Sequence, residues 1–581
     1  MTRTILTFWT GCWLIVAAAG CGGTGGPGPE APPTPAAASP TFGGTLAVGA
    51  AADPKTFNPV MAGETSSGDV NLRMYDCLVE LDAAALTYGP MLAERWEVSE
   101  DGRTWTFHLR QEVTWSDGTP FTAEDVAFTL TVTMDPAVNA PGRDLLTSKG
   151  EPFRVEAVDP HTVAITTAEP YGPMEDTLST FPILPRHRLA AAYEAGKFPE
   201  TLGVDTPPGE IVGTGPFQLE KYEPGIVTLR RNPHYWKRTP DGQQLPYLDR
   251  LVFLSVNDFN TWRLKFDAGE VDYYQVRPEE VFAMEEGQGQ GNYTLHDLGP
   301  GWNTIHFWFN QHPGRDAQGQ PYVDPGKLAW FQDLRFRQAV IQAIDRQAIV
   351  DSAHNGYGTV LHGPTSPANE RWYYQKITQY PYDPDRARAL LAEIGFTDRD
   401  GDGVREDAAG RPVEFTMLTN TIALLQTYGQ MVASDLAKVG IKVNLTPVEF
   451  NQLVATLMST RTYEACLLPL TGPPDPVGGL NVTLSSGPMH IFHPNQARPA
   501  TAWEAEVDRL AWQCINATAF AERKRYWDQV QDLYARNLGF FYLMTANVYR
   551  AVRNTVGGAR MGKIATFHNL LWNEDQLYLR R

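Results

Sequence analysis

Cysteine is scarce in this sequence, with five in 581 residues. Cys12 and Cys21 fall in an apolar leader, which leaves Cys77, Cys466 and Cys514, so that at most one disulfide can form among them. No CxxC pair is present, which excludes the usual zinc and dithiol motifs. The fold must therefore rest on its hydrophobic core. A chain of this length with 43% hydrophobic residues can bury a large core and form two or more domains.

Positive charge is also in short supply, with 48 Lys and Arg against 67 Asp and Glu and a net charge of −19. This balance argues against nucleic acid as a partner and against adsorption to anionic lipid, since both need a basic surface. The catalytic motifs GxSxG and HExxH are absent from the sequence. These absences disfavour an exported hydrolase, the main alternative from another functional class.

A leader begins the chain: Ile5 to Ala19 is mostly apolar but short for a transmembrane helix. It ends in Ala18-Ala19-Gly20-Cys21, which resembles the lipobox of bacterial lipoproteins, although Ala18 stands where that motif usually has Leu. The resemblance predicts a signal peptide over residues 1–20 and lipidation of Cys21; an ordinary signal peptide or a membrane anchor is the alternative. Residues 21–42, rich in Gly, Pro and Ala, predict a disordered tether.

The body shows α/β signals. Trp105, Phe107 and Leu109 alternate with polar residues, which predicts a half-buried strand. The segment 383–395 predicts a helix, with Asp383 as its N-cap, Pro384 in its first turn and Gly395 closing it. Residues 463–470 predict an apolar strand that leads into a loop rich in Pro and Gly, at residues 468–487. Ligands of open α/β sheets bind at the carboxyl ends of such strands.

Five segments, in order, resemble extracellular solute-binding protein family 5, the oligopeptide-, dipeptide- and nickel-binding lipoproteins of ABC importers. They read GGTLAVGAAADPKTFNP, LAERWEVSEDGRTWTFHLRQEVTWSDGTPFTAEDVAFTL, IVGTGPFQLEKYEPGIVTLRRNPHYW, FRQAVIQAIDRQAIVDSAHNGYG and YPYDPDRARALLAEIGF. The resemblance implies an α/β two-lobe clamshell of the cluster C type, in which a discontinuous lobe I carries an inserted subdomain. Lobe I would comprise residues 43–277 plus 545–581, and lobe II residues 278–544.

The same resemblance implies a function without covalent chemistry. The chain would be a monomer in the cell envelope, periplasmic or extracytoplasmic and anchored to a membrane by its lipid. It would bind a peptide or peptide-like solute, deliver it to an ABC permease, and need no cofactor. An oligosaccharide or another non-peptide ligand, and a sensor that does not transport, are the alternatives.

The ligand site is expected near the loop at residues 468–487. In peptide-binding relatives an Asp and then an aromatic residue precede Pro-Asp-Pro, and the Asp pairs with the peptide's α-amino group. Alignment on Pro474-Asp475-Pro476 puts Gly472 and Pro473 at those two positions, so ordinary free-amine di- and tripeptides should bind weakly. The predicted ligand-binding residues are Trp302, Asn303, Tyr357, Asp475, Asn481, Ser485 and Ser486.

Three further motifs have alternative interpretations. Asp398, Asp400, Asp402 and Glu406 follow the spacing of a calcium loop and predict a structural calcium site, but position 12 is Ala409 where an EF-hand has Glu, so a plain polar turn is the alternative. His490 and His493 form an HxxH that suits Ni²⁺ but lacks further ligands nearby in sequence. Gly287–Gly291, a GQGQG stretch, lacks the dinucleotide-binding spacing and predicts a flexible loop.

Overall fold

The computed structural model of the protein describes residues 40–256, 258–564 and 570–580. The predicted signal peptide, Cys21 and most of the tether lie outside the described residues. The strands are β1 (Thr45–Ala50), β2 (Val79–Asp82), β3 (Thr87–Pro90), β4 (Ala93–Val98), β5 (Thr104–Leu109), β6 (Thr147–Ser148), β7 (Glu151–Pro152), β8 (Arg154–Asp159), β9 (Thr162–Thr166), β10 (Phe217–Glu223), β11 (Ile226–Arg231), β12 (Arg250–Ser255), β13 (Tyr273–Val276), β14 (Tyr293–Pro300), β15 (Asn303–Phe309), β16 (Gly358–Val360), β17 (Glu414–Asn420), β18 (Lys442–Val448), β19 (Ala465–Thr471), β20 (Phe541–Arg553), β21 (Val556–Gly557) and β22 (Tyr578–Leu579).

Fifteen α-helices lie among these strands in the described part of the chain. They are α1 (Thr65–Met74), α2 (Ala123–Met134), α3 (Met174–Leu178), α4 (Arg186–Glu194), α5 (Phe259–Ala268), α6 (Val281–Gly291), α7 (Pro325–Gln332), α8 (Leu334–Ala343), α9 (Arg346–His354), α10 (Pro384–Glu393), α11 (Ala423–Ala437), α12 (Phe450–Ala455), α13 (Leu480–Thr483), α14 (Ala502–Asn516) and α15 (Phe520–Asn537). Over the described ranges, no helix is both long enough and apolar enough to cross a bilayer.

Two four-stranded sheets and one eight-stranded sheet form the framework. The four-stranded sheets have the orders β1-β12-β11-β10 and β4-β5-β9-β8. The eight-stranded sheet has the order β13-β20-β15-β19-β17-β18, and β14 and β16 also pair with β20. Along β20, Phe541–Ala546 pairs with β15 and β16, whereas Asn547–Arg553 pairs with β13 and β14. One strand therefore belongs to both halves of this sheet.

Three large hydrophobic cores accompany the sheets, and a small fourth cluster joins Leu86, Trp302 and Ala368. The first contains residues between Ile305 and Met544. The second combines residues between Leu46 and Tyr293 with residues between Tyr549 and Leu577. The third is built from residues 78–212 together with Ile515. The chain thus leaves the second core between β14 and β15 and returns to it in the middle of β20.

Several local predictions are confirmed. The Asp383 side chain accepts a hydrogen bond from the Arg386 amide at the start of α10, and Gly395 has a φ of +83° just beyond its end. A Cβ is disfavoured at that dihedral, which is why glycine ends the helix there. Strand β5 buries Trp105, Phe107 and Leu109 on one face, as the alternation indicates.

The prediction of a flexible loop at Gly287–Gly291 was wrong, because these residues form the last turns of α6. The phenol ring of Tyr293 packs against this end of the helix, and its hydroxyl donates to the Met284 carbonyl at 2.7 Å. A Cβ at Gly291 would lie 2.2 Å from that ring. The glycines therefore make room for an aromatic side chain.

Two residues of the predicted tether contact the globular body. Thr41 and Phe42 fall within the predicted tether, yet the Thr41 hydroxyl donates to the Leu579 carbonyl at 2.6 Å and the Phe42 ring lies 4.9 Å from that of Tyr247. No disulfide forms among the three cysteines of the described body, because Cys77, Cys466 and Cys514 are all buried free thiols.

Candidate ligand-binding site

A cavity of about 380 Å³ opens on one face of the eight-stranded sheet. Its floor is built from alternate residues of three adjacent strands, because every second side chain of a strand points to the same face. Trp302, Thr304 and His306 come from β15 and the residue before it, Leu470 from β19, and Tyr542 from β20. The pairing Thr304↔Leu470 and His306↔Tyr542 brings these side chains together.

The walls come from segments far apart in sequence. One wall is the stretch 364–372 with Trp372, and another is the loop that follows β19, from Thr471 to Thr483. Trp527 from α15, Met489 and Phe540 complete the lining. Five of the lining residues are aromatic, so the cavity offers large apolar faces with a few polar groups, as binding cavities usually do.

The described lining of the cavity carries no formal charge. None of these lining residues is Asp, Glu, Lys or Arg. Burial lowers the pKa of His306 to about 3, which keeps that imidazole neutral at ordinary pH. Burial also raises the pKa of Tyr542 above its ordinary value, so its phenol stays protonated. A ligand enclosed here meets no counter-charge from the described residues.

The loop after β19 places Asp475 behind the wall instead of on it. Asp475 is 0% exposed and is not among the cavity residues; its Oδ1 accepts from Arg523 at 2.6 Å and from the Val477 amide at 3.1 Å. The second contact caps the short 3₁₀ turn Pro476–Gly479, which is the turn-forming role of an Asp before Pro. Gly472 and Pro473 do line the cavity, so the wall has no carboxylate where the resemblance would place one.

A buried carboxyl from the third core lies near this ion pair. Asp176 accepts a hydrogen bond from the Tyr88 hydroxyl. Burial, reinforced by the nearby charge of Asp475, raises the pKa of Asp176 to about 7, although Tyr88 and Arg523 oppose that rise. Arg523 is therefore the cation that two buried acids share.

The other predicted ligand-binding residues divide into three groups. Trp302 and Asn481 line the cavity. Asn303 lies beside it, exposed, and accepts from the Thr471 hydroxyl. Three residues lie away from the cavity: Ser485 donates to Asp508 at 2.6 Å, Ser486 is exposed, and Tyr357 packs against Tyr549 at 5.5 Å.

Sequence reasoning missed His306, Trp372, Trp527 and Tyr542. The one available signal was the NTIHFWF stretch at residues 303–309, in which Thr304 and His306 interrupt an apolar strand on the same face. The two tryptophans carry no such signal, because a buried Trp is ordinarily part of the core.

Comparison with known proteins places the chain in a family. The family described as bacterial extracellular solute-binding proteins, family 5 middle region, matches residues 87–490. The chain belongs to this family. A probable ABC transporter-binding protein of Deinococcus radiodurans is 28% identical over 541 residues, covering 89% of each chain. Heme-binding protein A of Haemophilus influenzae is 30% identical over 502 residues, covering 82% of this chain and 83% of that protein.

Solved structures share the fold. The ABC transporter substrate-binding protein CtaP of Listeria monocytogenes superimposes with a TM-score of 0.75 at 22% identity, covering 93% of this chain and 100% of that one. AppA of Bacillus subtilis, in complex with a nonapeptide, gives 0.68 at 23%, covering 94% and 100%. MelB of Agrobacterium fabrum, in complex with stachyose, gives 0.71 at 24%, covering 93% and 85%. The predicted α/β fold of a two-lobe binding protein is confirmed.

The family also settles the functional class. This chain is a solute-binding protein of the kind that serves ABC importers, and not an enzyme. Family members act outside the cytoplasm, in the periplasm or extracellularly. The relatives named above bind chemically different solutes, so membership alone does not identify the ligand of this solute-binding protein.

The acidic loop of this solute-binding protein brings its four carboxylates together. Asp398, Asp400, Asp402 and Glu406 each offer an oxygen within 4.8 Å of the others, and the three aspartates are exposed. Backbone amides of Gly401 and Gly403 donate to Asp398 at 2.7 and 3.1 Å and shape the turn. The calcium site stays a prediction, supported by this proximity alone.

The two histidines of the HxxH point to different partners. His490 is buried and contacts the Val482 carbonyl at 2.9 Å and Glu504 Oε1 at 3.2 Å. The ring of His493 instead lies 4.9 Å from that of His312. His490 already has partners for both ring nitrogens, so the pair is not arranged as metal ligands.

Proposed function

We propose that this protein is the lipid-anchored receptor of an ABC importer and that it captures an uncharged solute for a membrane permease. The observation that carries the proposal is the chemistry of the cavity: aromatic walls, no ionised lining residue, and Gly472 and Pro473 where peptide-binding relatives would have an acid and an aromatic residue. A buried ammonium or carboxylate without a counter-charge is costly. The ligand is thus an N-terminally blocked or cyclic peptide, or an oligosaccharide.

The lobe boundaries belong to the same proposal. We place lobe I at residues 43–300 plus 547–581, with the inserted subdomain around the third core, and lobe II between them. The packing of Met284 and Tyr293 in the second core supports a first crossing between Pro300 and Asn303, later than Arg277. The change of partners along β20 supports a return near Ala546. The lobes close on the ligand, and small-angle scattering at saturating ligand should show compaction.

Calorimetry with matched peptides tests the ligand class. A free-amine tripeptide should bind weakly or not at all, and N-acetylation with C-amidation should not impair binding, because the described lining of the cavity has no group to pair with either terminal charge. The same peptides on an authentic dipeptide-binding relative, which should lose affinity on acetylation, serve as the control. Tight binding of the free amine that is lost on acetylation would refute an uncharged ligand.

A further inference from the structure

Two buried polar atoms of the cavity have no partner, and they are of opposite kind. The acceptor is Nε2 of His306, and the donor is Nε1 of Trp372. His306 is 2% exposed and Trp372 is 1% exposed, and neither atom finds a hydrogen-bond partner within the described ranges. Buried polar groups in native proteins are almost always paired, so each of these atoms calls for a partner that the described residues do not supply.

The hydrogen bonds around His306 decide its tautomer. The hydroxyl of Thr304 donates to the Leu470 carbonyl at 3.0 Å, which uses its single proton. Toward Nδ1 of His306, 3.3 Å away, that oxygen can only accept. The imidazole proton therefore sits on Nδ1, and Nε2 keeps a free lone pair that accepts a hydrogen bond.

Trp372 differs from the other tryptophans of the cavity. The indole of Trp302 donates to the Lys563 carbonyl, and that of Trp527 to Thr365 Oγ1 at 3.4 Å. Only the indole of Trp372 lacks such an acceptor among the described cavity residues. Because indole nitrogen can only donate, this atom requires an acceptor on the ligand.

At His306, side chains alone can recognise the ligand. The residue pairs with Leu468 of β19 on one edge of its strand and with Tyr542 of β20 on the other. The backbone there has no free edge to which an extended peptide could add as a strand. The walls add Thr, Ser and Asn side chains and aromatic faces. A ligand that carries hydroxyl groups on a ring with an apolar face fits these features best, because a hydroxyl group can both donate and accept a hydrogen bond.

We infer that His306 and Trp372 are the specificity-determining residues of this cavity and that they select a neutral, polyhydroxylated solute of the carbohydrate type. A ligand hydroxyl donates to Nε2 of His306, and a ligand oxygen accepts from Nε1 of Trp372. The inference rests on the proposed capture of an uncharged solute and narrows it to one chemical class.

Calorimetry on the full-length protein in detergent tests the inference with raffinose, stachyose, maltotriose, cellotriose, free-amine trialanine and N-acetylated, C-amidated trialanine as probes. At least one oligosaccharide should bind. His306→Phe and Trp372→Phe should each weaken it about tenfold to a hundredfold, the usual cost of an unpaired buried partner. His306→Gln, which keeps an acceptor, should lose less. Trp262→Phe is the matched control, since it removes the same volume from a buried indole that lies outside the cavity lining and already donates to the Tyr273 carbonyl at 3.1 Å.

Nitrogen NMR supplies a readout that loss of packing would not reproduce. In protein labelled with ¹⁵N-histidine, Nε2 of His306 should be unprotonated without sugar and should shift upfield when the sugar binds. Sugar binding that is unchanged in both Phe variants, or failure of every oligosaccharide to bind, overturns the inference. If the capped peptide binds and no oligosaccharide does, the inference is overturned while the proposed function stands. Preferential binding of free-amine trialanine would instead overturn the proposed function.

Discussion

Replacement of Arg523 by Met should destabilise the protein strongly and in a pH-dependent way. The guanidinium donates to Asp475 at 2.6 Å and to the Cys514 carbonyl at 3.0 Å, and it lies over the Trp372 ring at 5.1 Å. The paired side chains are 5% and 0% exposed, so the Met variant leaves a buried acid without its counter-charge. Such a loss costs about 3–5 kcal/mol of unfolding free energy.

The pH dependence follows from the neighbouring acid. Burial and the charge of Asp475 raise the pKa of Asp176, and Arg523 limits that rise. The net result is a pKa of about 7. Without the guanidinium that pKa rises further. The folded variant therefore keeps a proton on Asp176 at pH values where the folded wild type has lost it. The penalty should therefore be largest near pH 8 and shrink toward pH 5, by up to about 1.4 kcal/mol per pH unit for each proton bound.

Urea unfolding of wild type and variant at pH 5, 6.5 and 8, followed by tryptophan fluorescence, measures this penalty. Arg525→Met is the matched control. Arg525 lies two residues after Arg523 in the same helix, and its side chain is 64% exposed, so its replacement should cost under about 1 kcal/mol of unfolding free energy. Asp475→Asn combined with Arg523→Met should recover part of the loss, because it removes the uncompensated charge. Equal midpoints for the two single variants, or a penalty that grows toward pH 5, would refute the reasoning.

Three other predictions concern the whole molecule. Burial raises the pKa of Asp76 to about 6 and that of Glu574 to about 7, above ordinary carboxyl values. The stability that these groups provide at low pH is therefore lost as the pH rises through 6 to 7. A urea midpoint that increases from pH 5 to pH 8 would contradict this. Cys21→Ser should release the protein from membranes, and sedimentation of the variant with membranes after a high-salt wash would count against lipidation. Calcium should raise the melting temperature and Asp400→Asn should abolish that rise; identical melting curves in calcium and in chelator would exclude the site.

Local chemistry could be predicted from the sequence because it is decided within a few residues. The cap at Asp383, the stop at Gly395 and the alternation around Phe107 each depend on near neighbours. The helix at Gly287–Gly291 could not, because glycine has a weak helix propensity and no sequence pattern announces that the ring of nearby Tyr293 packs against this end of the helix.

The cavity illustrates the same limit. The turn residues predict the loop after β19, and Gly472 of that loop lines the cavity where the resemblance would place a carboxylate. His306, Trp372 and Trp527 meet only because separate strands, a long connection and a helix converge on one sheet face. The partner of Asp475 is 48 residues downstream. No pattern in a single sequence joins positions so far apart.

Strand β20 has a consequence for the order in which the protein is made. It occupies residues 541–553 of a 581-residue chain, yet it is paired with β13, β14, β15 and β16, whose residues lie between 273 and 360. Until that strand emerges, the middle of the eight-stranded sheet is missing and both halves lack a partner. A chain synthesised from its amino end therefore cannot complete this sheet until nearly all of its residues have been made, although the two four-stranded sheets contain no residue of β20.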